Sequence, residues 1–317
     1  MPKNNYSHIS SAQLAKICQV SQGTVDRALN NREGISPATK EKILEAARKY
    51  GFSPNIPEGK IQGTHSMLYA IVLFNLYNDY FSRFVMDFEQ HCKEIGYNSI
   101  VMFSHNNPQA EIGCINQLVH LGVDGLILSP VGKSEDYCSW LQSLNLPIVT
   151  IANRLPGVPF VGLNDYLAMK DLTQHAICQG YQNLIYYAPV LKKRRHENIY
   201  AQEERYNGFV TGAEELGVQH QLITDELPLQ WVPEQERTAV ICPSDVYAIR
   251  VLDTLYGQKQ TDIGIFGFDN CDSLIKRNPS IDSISHDRGE LIAAIHTVLT
   301  AESPAEITYI PHHIVSR

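Results

Sequence analysis

The sequence predicts an α/β protein: a small three-helix head followed by a two-lobed, doubly wound body. Three observations predict it. The first sixty residues hold three short runs of helical periodicity, each with a recognisable start signal. From Met67 onward, short apolar runs alternate with amphipathic stretches, as in strand–helix–strand units built on parallel sheets. Charge divides at the same place: nine Lys/Arg against five Asp/Glu put residues 1–60 at +4, and the remainder of this chain of net charge −8 at −12. A basic head on an acidic body suits a head that meets phosphates and a body that repels them. At 317 residues and 44% hydrophobic content the chain can build more than one core.

In the head, the first helix starts near Ser11 and ends at Ile17 or Cys18, with Leu14, Ala15 and Cys18 facing inward. The second takes Ser21 as N-cap, which puts Val20 at N′ and Val25 at N4, the spacing of a hydrophobic staple. Val25, Ala28 and Leu29 form its apolar arc, and Gln22, Gly23, Asp26 and Arg27 fall on the opposite one. The third takes Ser36 as N-cap and Pro37 at N1, and runs through Ile43, Leu44, Ala47 and Tyr50 to Gly51 at C′. Two short helices joined by "QVS" make a helix-turn-helix, in which the second helix can enter a DNA major groove.

The segment "SSAQLAKICQVSQGTVDRALNNREGISPATKEKILEAARKYGFSPN" resembles the DNA-binding head of LacI-type transcription regulators. The resemblance rests on V-S-x-x-T-V-x-R-x-L-N at Val20–Asn30, I-S-x-x-T at Ile35–Thr39 and Y-G-F-x-P-N at Tyr50–Asn55. It implies that Ser21, Thr24 and Asn30 hold the phosphate backbone, and that Gln22, Gly23 and Arg27 stand at base-reading positions. Arg27 is the candidate for bidentate contact with guanine. Asp26 departs from the small hydroxyl residue of many relatives; it either orients a nearby cation or accepts from a cytosine amino group. The resemblance also implies a hinge that becomes helical on DNA and wedges Ile61 into the minor groove. The local "NIPEGKIQGTHS" is rich in helix breakers, so a mobile linker is the other reading.

In the body, the strand candidates are "MLYAIVLF", "SIVMF", "GLILS", "PIVTI", "FVGL", "LIYYA", "AVIC", "IGIFGF" and "ITYIP". Phe81, Phe84, Val85, Phe88, Cys92 and Ile95 recur at helical spacing, as do Ile112, Ile115, Leu118 and Val119 before Gly122. "LGVDGLILSP" (121–130), "RYNGF" (205–209) and "IGIFGFDN" (263–270) resemble motifs of the periplasmic-binding-protein-like (type I) effector domain of the same family. The resemblance implies two Rossmann-like lobes clamping a small ligand at the carboxyl ends of their strands.

It then implies a ligand site. In "YNDYF", Asn78 would bond hydroxyls while Tyr80 and Phe81 cover an apolar sugar face. Asn153 and Arg154 follow "PIVTI" as polar candidates. Arg205 and Asp269 match the family's recurrent ligand-binding positions and would pair with vicinal hydroxyls. Asp165 is either a ligand contact or the N-cap of the next helix. Ser244 and His286 stand where relatives often carry Asn and Gln, and join the candidate set. Trp231 either caps the cleft or simply packs, and the basic run at 191–197 reads as a solvated loop near the rim.

The expected organisation is a head over 1–55, a linker over 56–66 and an effector and dimerisation body over 67–317. Within the body, the N-lobe takes about 67–161 and 287–311 and the C-lobe about 162–286. The seven cysteines are scattered with no C-x-x-C pair, which suits reduced, buried thiols. The N-terminus lacks the apolar run of a signal peptide and no stretch is apolar enough to span a membrane, so a cytoplasmic location is expected. Twelve histidines without metal spacing, and the lack of G-x-S-x-G, P-loop, H-E-x-x-H or G-x-G-x-x-G motifs, leave neither a metal, a cofactor nor an enzyme to expect. The expected function is a homodimeric regulator, a repressor, that binds pseudo-palindromic operator DNA and is switched by a small effector, a sugar. A solute-binding protein, or a regulator answering to a purine or sugar phosphate, is the alternative.

Overall fold

A computed structural model of the chain describes residues 11–29, 34–49, 66–188, 197–224, 237–256, 263–278 and 280–317. Asn30, Ile61, Trp231 and the basic run up to residue 196 lie outside them, as does the end of the third helix at Tyr50 and Gly51.

The head comprises α1 (Ser11–Cys18), α2 (Gln22–Leu29) and α3 (Pro37–Lys49). Leu14, Ala15, Cys18, Val25, Ala28, Ile43 and Ala47 make its core, with Val20 packed against it. The two later helices start by one device. Ser21 Oγ accepts from Thr24 N at 3.1 Å and its hydroxyl pairs with that of Thr24 at 2.8 Å; Ser36 and Thr39 repeat this at 3.1 and 2.7 Å. The turn after α1 is closed by Gln19 at φ 57° with Val20 N bonded to Ala15 O, a Schellman-type stop made without glycine. Lys42 Nζ reaches across from α3 to Cys18 O at 3.2 Å, satisfying an end carbonyl of α1.

The first lobe contains β1 (Leu68–Leu73), α4 (Asp79–Glu94), β2 (Asn98–Phe103), α5 (Pro108–Leu121), β3 (Gly125–Leu128), α6 (Glu135–Ser143), β4 (Ile148–Thr150) and β5 (Phe160–Gly162). The second contains α7 (Asp165–Cys178), β6 (Asn183–Ala188), α8 (Tyr200–Glu215), β7 (Gln219–Thr224), β8 (Thr238–Ile241), α9 (Asp245–Tyr256), β9 (Gly264–Phe268), α10 (Asp272–Arg277) and β10 (Asp282–His286). The chain then returns to the first lobe with α11 (Arg288–Thr300) and β11 (Ile307–Tyr309), and crosses once more to add β12 (His312–Val315) to the second. The first sheet runs β11-β5-β4-β3-β1-β2, all parallel; the second runs β12-β10-β9-β8-β6-β7, parallel except for the β10–β12 pair. Each order reverses once, between β1 and β3 and between β6 and β8, which is the doubly wound pattern.

Period-two alternation along β1 explains how the first sheet is sandwiched. Tyr69, Ile71 and Leu73 face one apolar cluster with Phe84 and Phe88 of α4 and Ile295 of α11; Ala70 and Val72 face another with Ile115 of α5 and Leu141 of α6. In the second lobe, Leu184 and Tyr186 pack under α7 and α8, while Tyr187 and Val240 pack against α9. Each fully buried aliphatic side chain here contributes about 1.5–3 kcal/mol. α7 and α8 lie unusually close: a Cβ on Gly208 would sit 2.2 Å from Tyr166 O, and one on Gly212 2.9 Å from Lys170 O.

All nine anticipated strands form. β7, β10 and β12 were not foreseen, because "QHQLIT", "DSISH" and "HHIV" lack a continuous apolar run. β7 and β12 are edge strands with partly solvated faces, and the polar atoms of β10 are spent on bonds inside the lobe. All seven cysteines are free, six of them buried and Cys178 exposed. Among the described residues no helix is long and apolar enough to cross a membrane, and no group of three or more His, Cys, Asp or Glu is placed to hold a metal ion.

Candidate ligand cleft and nucleic-acid interface

A cavity of about 320 Å³ lies between the lobes at the carboxyl ends of β1, β4, β8 and β9. Its walls include Asn78, Tyr80 and Phe81 from the start of α4, Asn153 after β4, Arg205 on α8, Ser244 before α9 and Asp269 after β9. Seven of the ten anticipated ligand residues therefore meet around one space.

Arg205 is the most constrained of them. Its Nε donates to Asp165 Oδ1 at 2.7 Å, a terminal nitrogen donates to Pro243 O, and the guanidinium lies 3.6 Å from the centroid of the Phe268 ring. Burial works against its charge, but Asp165 and Asp269 outweigh burial and hold its pKa above the ordinary value. Asp269 accepts from Asn78 Nδ2 at 3.3 Å, a bond that joins the lobes. Burial pushes its pKa up to about 6, against the pull of Arg205 and of the Asn78 bond. Its backbone stands at φ 103°, with Asn270 following at φ 50°, a conformation L-residues rarely adopt outside functional turns. Tyr80 is half-buried beside Asp269, and desolvation followed by that carboxylate raises its phenol pKa. Tyr77, 91% exposed, stands at the mouth of the cavity.

The other anticipated residues have different places. Asp165 sits behind Arg205; Asn164 caps α7 by accepting from Leu167 N at 3.0 Å, so the Asp165 carboxylate is used on Arg205 and caps nothing. Arg154 turns away from the cavity, donating at 3.2 Å to the hydroxyls of both Tyr200 and Tyr309 and lying over the Phe160 and Tyr200 rings. His286 borders a separate pocket of about 210 Å³ on the far side of Tyr80, whose ring is 5.9 Å from the imidazole. Burial, then Arg288, lowers the His286 pKa to about 4, so it is a neutral imidazole near pH 7. Phe81 touches the cavity but packs mainly into the first lobe's core, edge-on to Phe74 and Tyr80.

Asn153 lines the cavity, yet its amide is engaged within the protein, and two of its three bonds tie the lobes together. Its Nδ2 donates to Pro130 O and Asn198 O at 3.3 and 3.2 Å, and its Oδ1 accepts from Ala201 N at 3.0 Å. With Asn198 Oδ1 accepting from Tyr200 N, it caps the start of α8, the helix that carries Arg205. The loop it grips is held from below by buried Glu111, which accepts from Val131 N, Gly132 N and Tyr137 Oη at 2.8, 3.1 and 2.6 Å.

Phe74, Gln202, Val246 and Tyr247 line the cavity and were not foreseen. Helical spacing could have found two of them: Gln202 lies one turn before Arg205, and Tyr247 one turn after Ser244.

In the head, Ser21, Gln22, Gly23, Asp26 and Arg27 are all exposed and Thr24 is half-buried, opposite the buried Val25 and Ala28. A Cβ on Gly23 would meet only Ser21 Oγ, at 3.8 Å, so packing within the head does not require glycine there.

A helix-turn-helix head joined to a two-lobed body with a ligand-sized cleft defines a class: DNA-binding regulators that respond to a small molecule. The family model described as the periplasmic binding proteins and sugar binding domain of the LacI family matches residues 68–231, and that of the bacterial regulatory proteins of the lacI family matches residues 12–55. The chain belongs to the LacI family of bacterial regulatory proteins. Among its relatives are catabolite control protein A of Staphylococcus xylosus, 24% identical over 67% of this chain and 62% of that protein, and catabolite control protein A of Priestia megaterium, 22% identical over 98% of each. The lac repressor dimer bound to operator and the anti-inducer ONPF has the same fold, with a TM-score of 0.68, 17% identity and 98% of each chain covered.

Proposed function

We propose that this protein represses transcription as a homodimer on a pseudo-palindromic operator, and that a sugar bound between its lobes sets the operator affinity. The observation that carries the sugar reading is that Arg205 and Asp269 line one cavity together with Phe74, Tyr77, Tyr80 and Tyr247. A carboxylate accepts hydroxyl protons; a guanidinium with five N–H donors, two of them engaged by Asp165 and Pro243, has others to offer to hydroxyl oxygens; aromatic faces cover C–H surfaces. The family model's own description as a sugar-binding domain supports it. The chain acts by binding alone, in the cytoplasm where its DNA lies.

The roles follow the placement. Asn78, Arg205 and Asp269 contact hydroxyls, Tyr80 and Tyr77 cover the ring, Ser244 offers a hydroxyl, and Asp165 acts through Arg205. In the head, Arg27 and Gln22 read bases, Ser21 and Thr24 hold phosphates, and residues 56–66 connect head to body. Ligand binding favours lobe closure, and closure changes the spacing of the two heads. A coupling of about 1–3 kcal/mol suffices for such a switch.

The test is a thermal-shift screen of the full chain against neutral sugars, polyols, sugar phosphates and nucleobases, followed by DNA-binding anisotropy with the best compound. A neutral sugar at 100 times its Kd adds about 2.7 kcal/mol to the body's stability and alters DNA affinity. Stabilisation by a purine with no response to any sugar overturns the sugar reading.

A further inference from the structure

Asp245 is the first residue of α9 and is 1% exposed. It does not line the cavity. Its carboxyl bonds two parts of the second lobe at once, the turn after β9 and the strand β10. One oxygen accepts from Cys271 N, in the turn after β9. The other accepts from Ser283 Oγ of β10 at 2.9 Å, and that hydroxyl in turn accepts from Asn270 N at 3.0 Å. Asp245 itself follows β8 through Pro243, whose carbonyl receives Arg205. The carboxyl enters this place because residue 267 is glycine: a Cβ there would lie 2.1 Å from Asp245 Oδ1.

The turn so gripped is the one that presents Asp269. Two successive residues, Asp269 and Asn270, stand at positive φ, each an unfavourable conformation that persists only where its surroundings over-determine it. The amides of the next two residues in the turn, Asn270 and Cys271, are held by Ser283 and Asp245. We propose that Asp245 is a positioning residue for the effector site, fixing through Ser283 and the Cys271 amide the strained turn that aims Asp269 into the cleft. The functional part of this rests on Asp269 being the effector-facing carboxylate.

The test needs no effector. In the full chain, hydrogen exchange is followed by mass spectrometry for a peptide spanning residues 267–273, with a peptide from α7 as control, and the Asp269 carboxyl is titrated by carbon NMR. Its charged and polar neighbours are Arg205, Asp165, Asn78, Tyr80 and Asp245. Asp245→Asn keeps an oxygen for Cys271 N and supplies a donor to Ser283 Oγ, so slow exchange and the raised titration of Asp269 are expected to remain. Asp245→Ala is expected to speed exchange of 267–273 at least tenfold, leave α7 unchanged, and return Asp269 toward the ordinary range near 4. Unchanged exchange and titration in Asp245→Ala overturn the proposal. So does acceleration that is equal in α7, which marks general loosening. If Asp245→Ala does not melt cooperatively, Ser283→Ala is read by the same criteria. Confirmation here with no sugar bound in the screen would leave the turn's anchor standing and retire the effector reading alone.

Discussion

Arg205 Nε donates to Asp165 Oδ1 at 2.7 Å while the guanidinium carbon lies over Phe268, 3.6 Å from its ring centroid. The Asp165 side chain is 3% exposed and that of Arg205 16%, so removing one partner strands a buried charge. Arg205→Ala is expected to cost about 3–5 kcal/mol of body stability and to abolish the effector's thermal shift. Arg205→Lys fails as well, since an ammonium cannot both stack and bond two acceptors in one plane. The double variant Arg205→Met/Asp165→Leu is expected to regain most of the stability without the ligand response. Denaturant melts of the three variants check this, and equal stability of Arg205→Ala and wild type would sink it.

Asp269 makes stability and binding depend on pH in opposite senses. Its folded pKa of about 6 lies above the unfolded value near 4. The folded state therefore holds the proton more tightly; this contribution is full below about pH 4 and is lost as pH rises through about 6. Asp269→Asn carries no such proton, so its Tm relative to wild type is expected to climb between pH 4 and 7. Effector affinity in wild type should rise over the same window, because the ionised carboxylate accepts hydroxyl protons. A flat Tm difference across that range would contradict the assignment.

The close contact of α7 and α8 at Gly208 predicts a sharp steric penalty. Gly208→Ala drives a methyl into Tyr166 O, 2.2 Å away, with Lys170 N at 3.1 Å. Overpacking of this kind costs about 1–3 kcal/mol, which lowers the body's Tm by roughly 2–12 °C. Calorimetry should show this loss in the body's transition, with the head's DNA contacts unaffected at low temperature.

In the head, stability and recognition separate. Gly23→Ala meets nothing closer than Ser21 Oγ at 3.8 Å and is expected to stabilise α2 by about 0.5–1 kcal/mol while changing which DNA sequences are preferred. Arg27→Ala, on the exposed arc, should leave the Tm unchanged and cost about 1–3 kcal/mol on the specific site alone. Selection of binding sites from a random DNA pool reads both. Identical preferences in Gly23→Ala and wild type would remove this position from recognition.

Local signals were legible because their physics is local. Ser21 and Ser36 cap their own helices, Pro37 opens the third, and β1 divides its side chains between two faces by alternation; none of this needs a distant residue. Asn78, Arg205 and Asp269 could be placed for a related reason, since each sits at a strand or helix end in a recognisable motif. The strands β7, β10 and β12 were hidden because edge position and buried polar bonding, not apolar content, put them in the sheet.

What only the tertiary structure decided is where side chains at those ends point and whom they meet. Ala152 at φ 60° turns the chain after β4, so that Asn153 grips the start of α8 and Arg154 leaves the cleft for Tyr200 and Tyr309. Tyr80 stands between His286 and the cavity, and Asn164 takes the cap that frees Asp165 for Arg205. By itself the sequence determined a DNA-reading head, a two-sheet body and the chemistry available to its cleft, because periodicity, caps and strand ends are properties of neighbours in the chain. The partition of that chemistry into contacts, supports and ties between lobes depended on residues 40 to 191 positions apart, whose directions are set only when both sheets have formed.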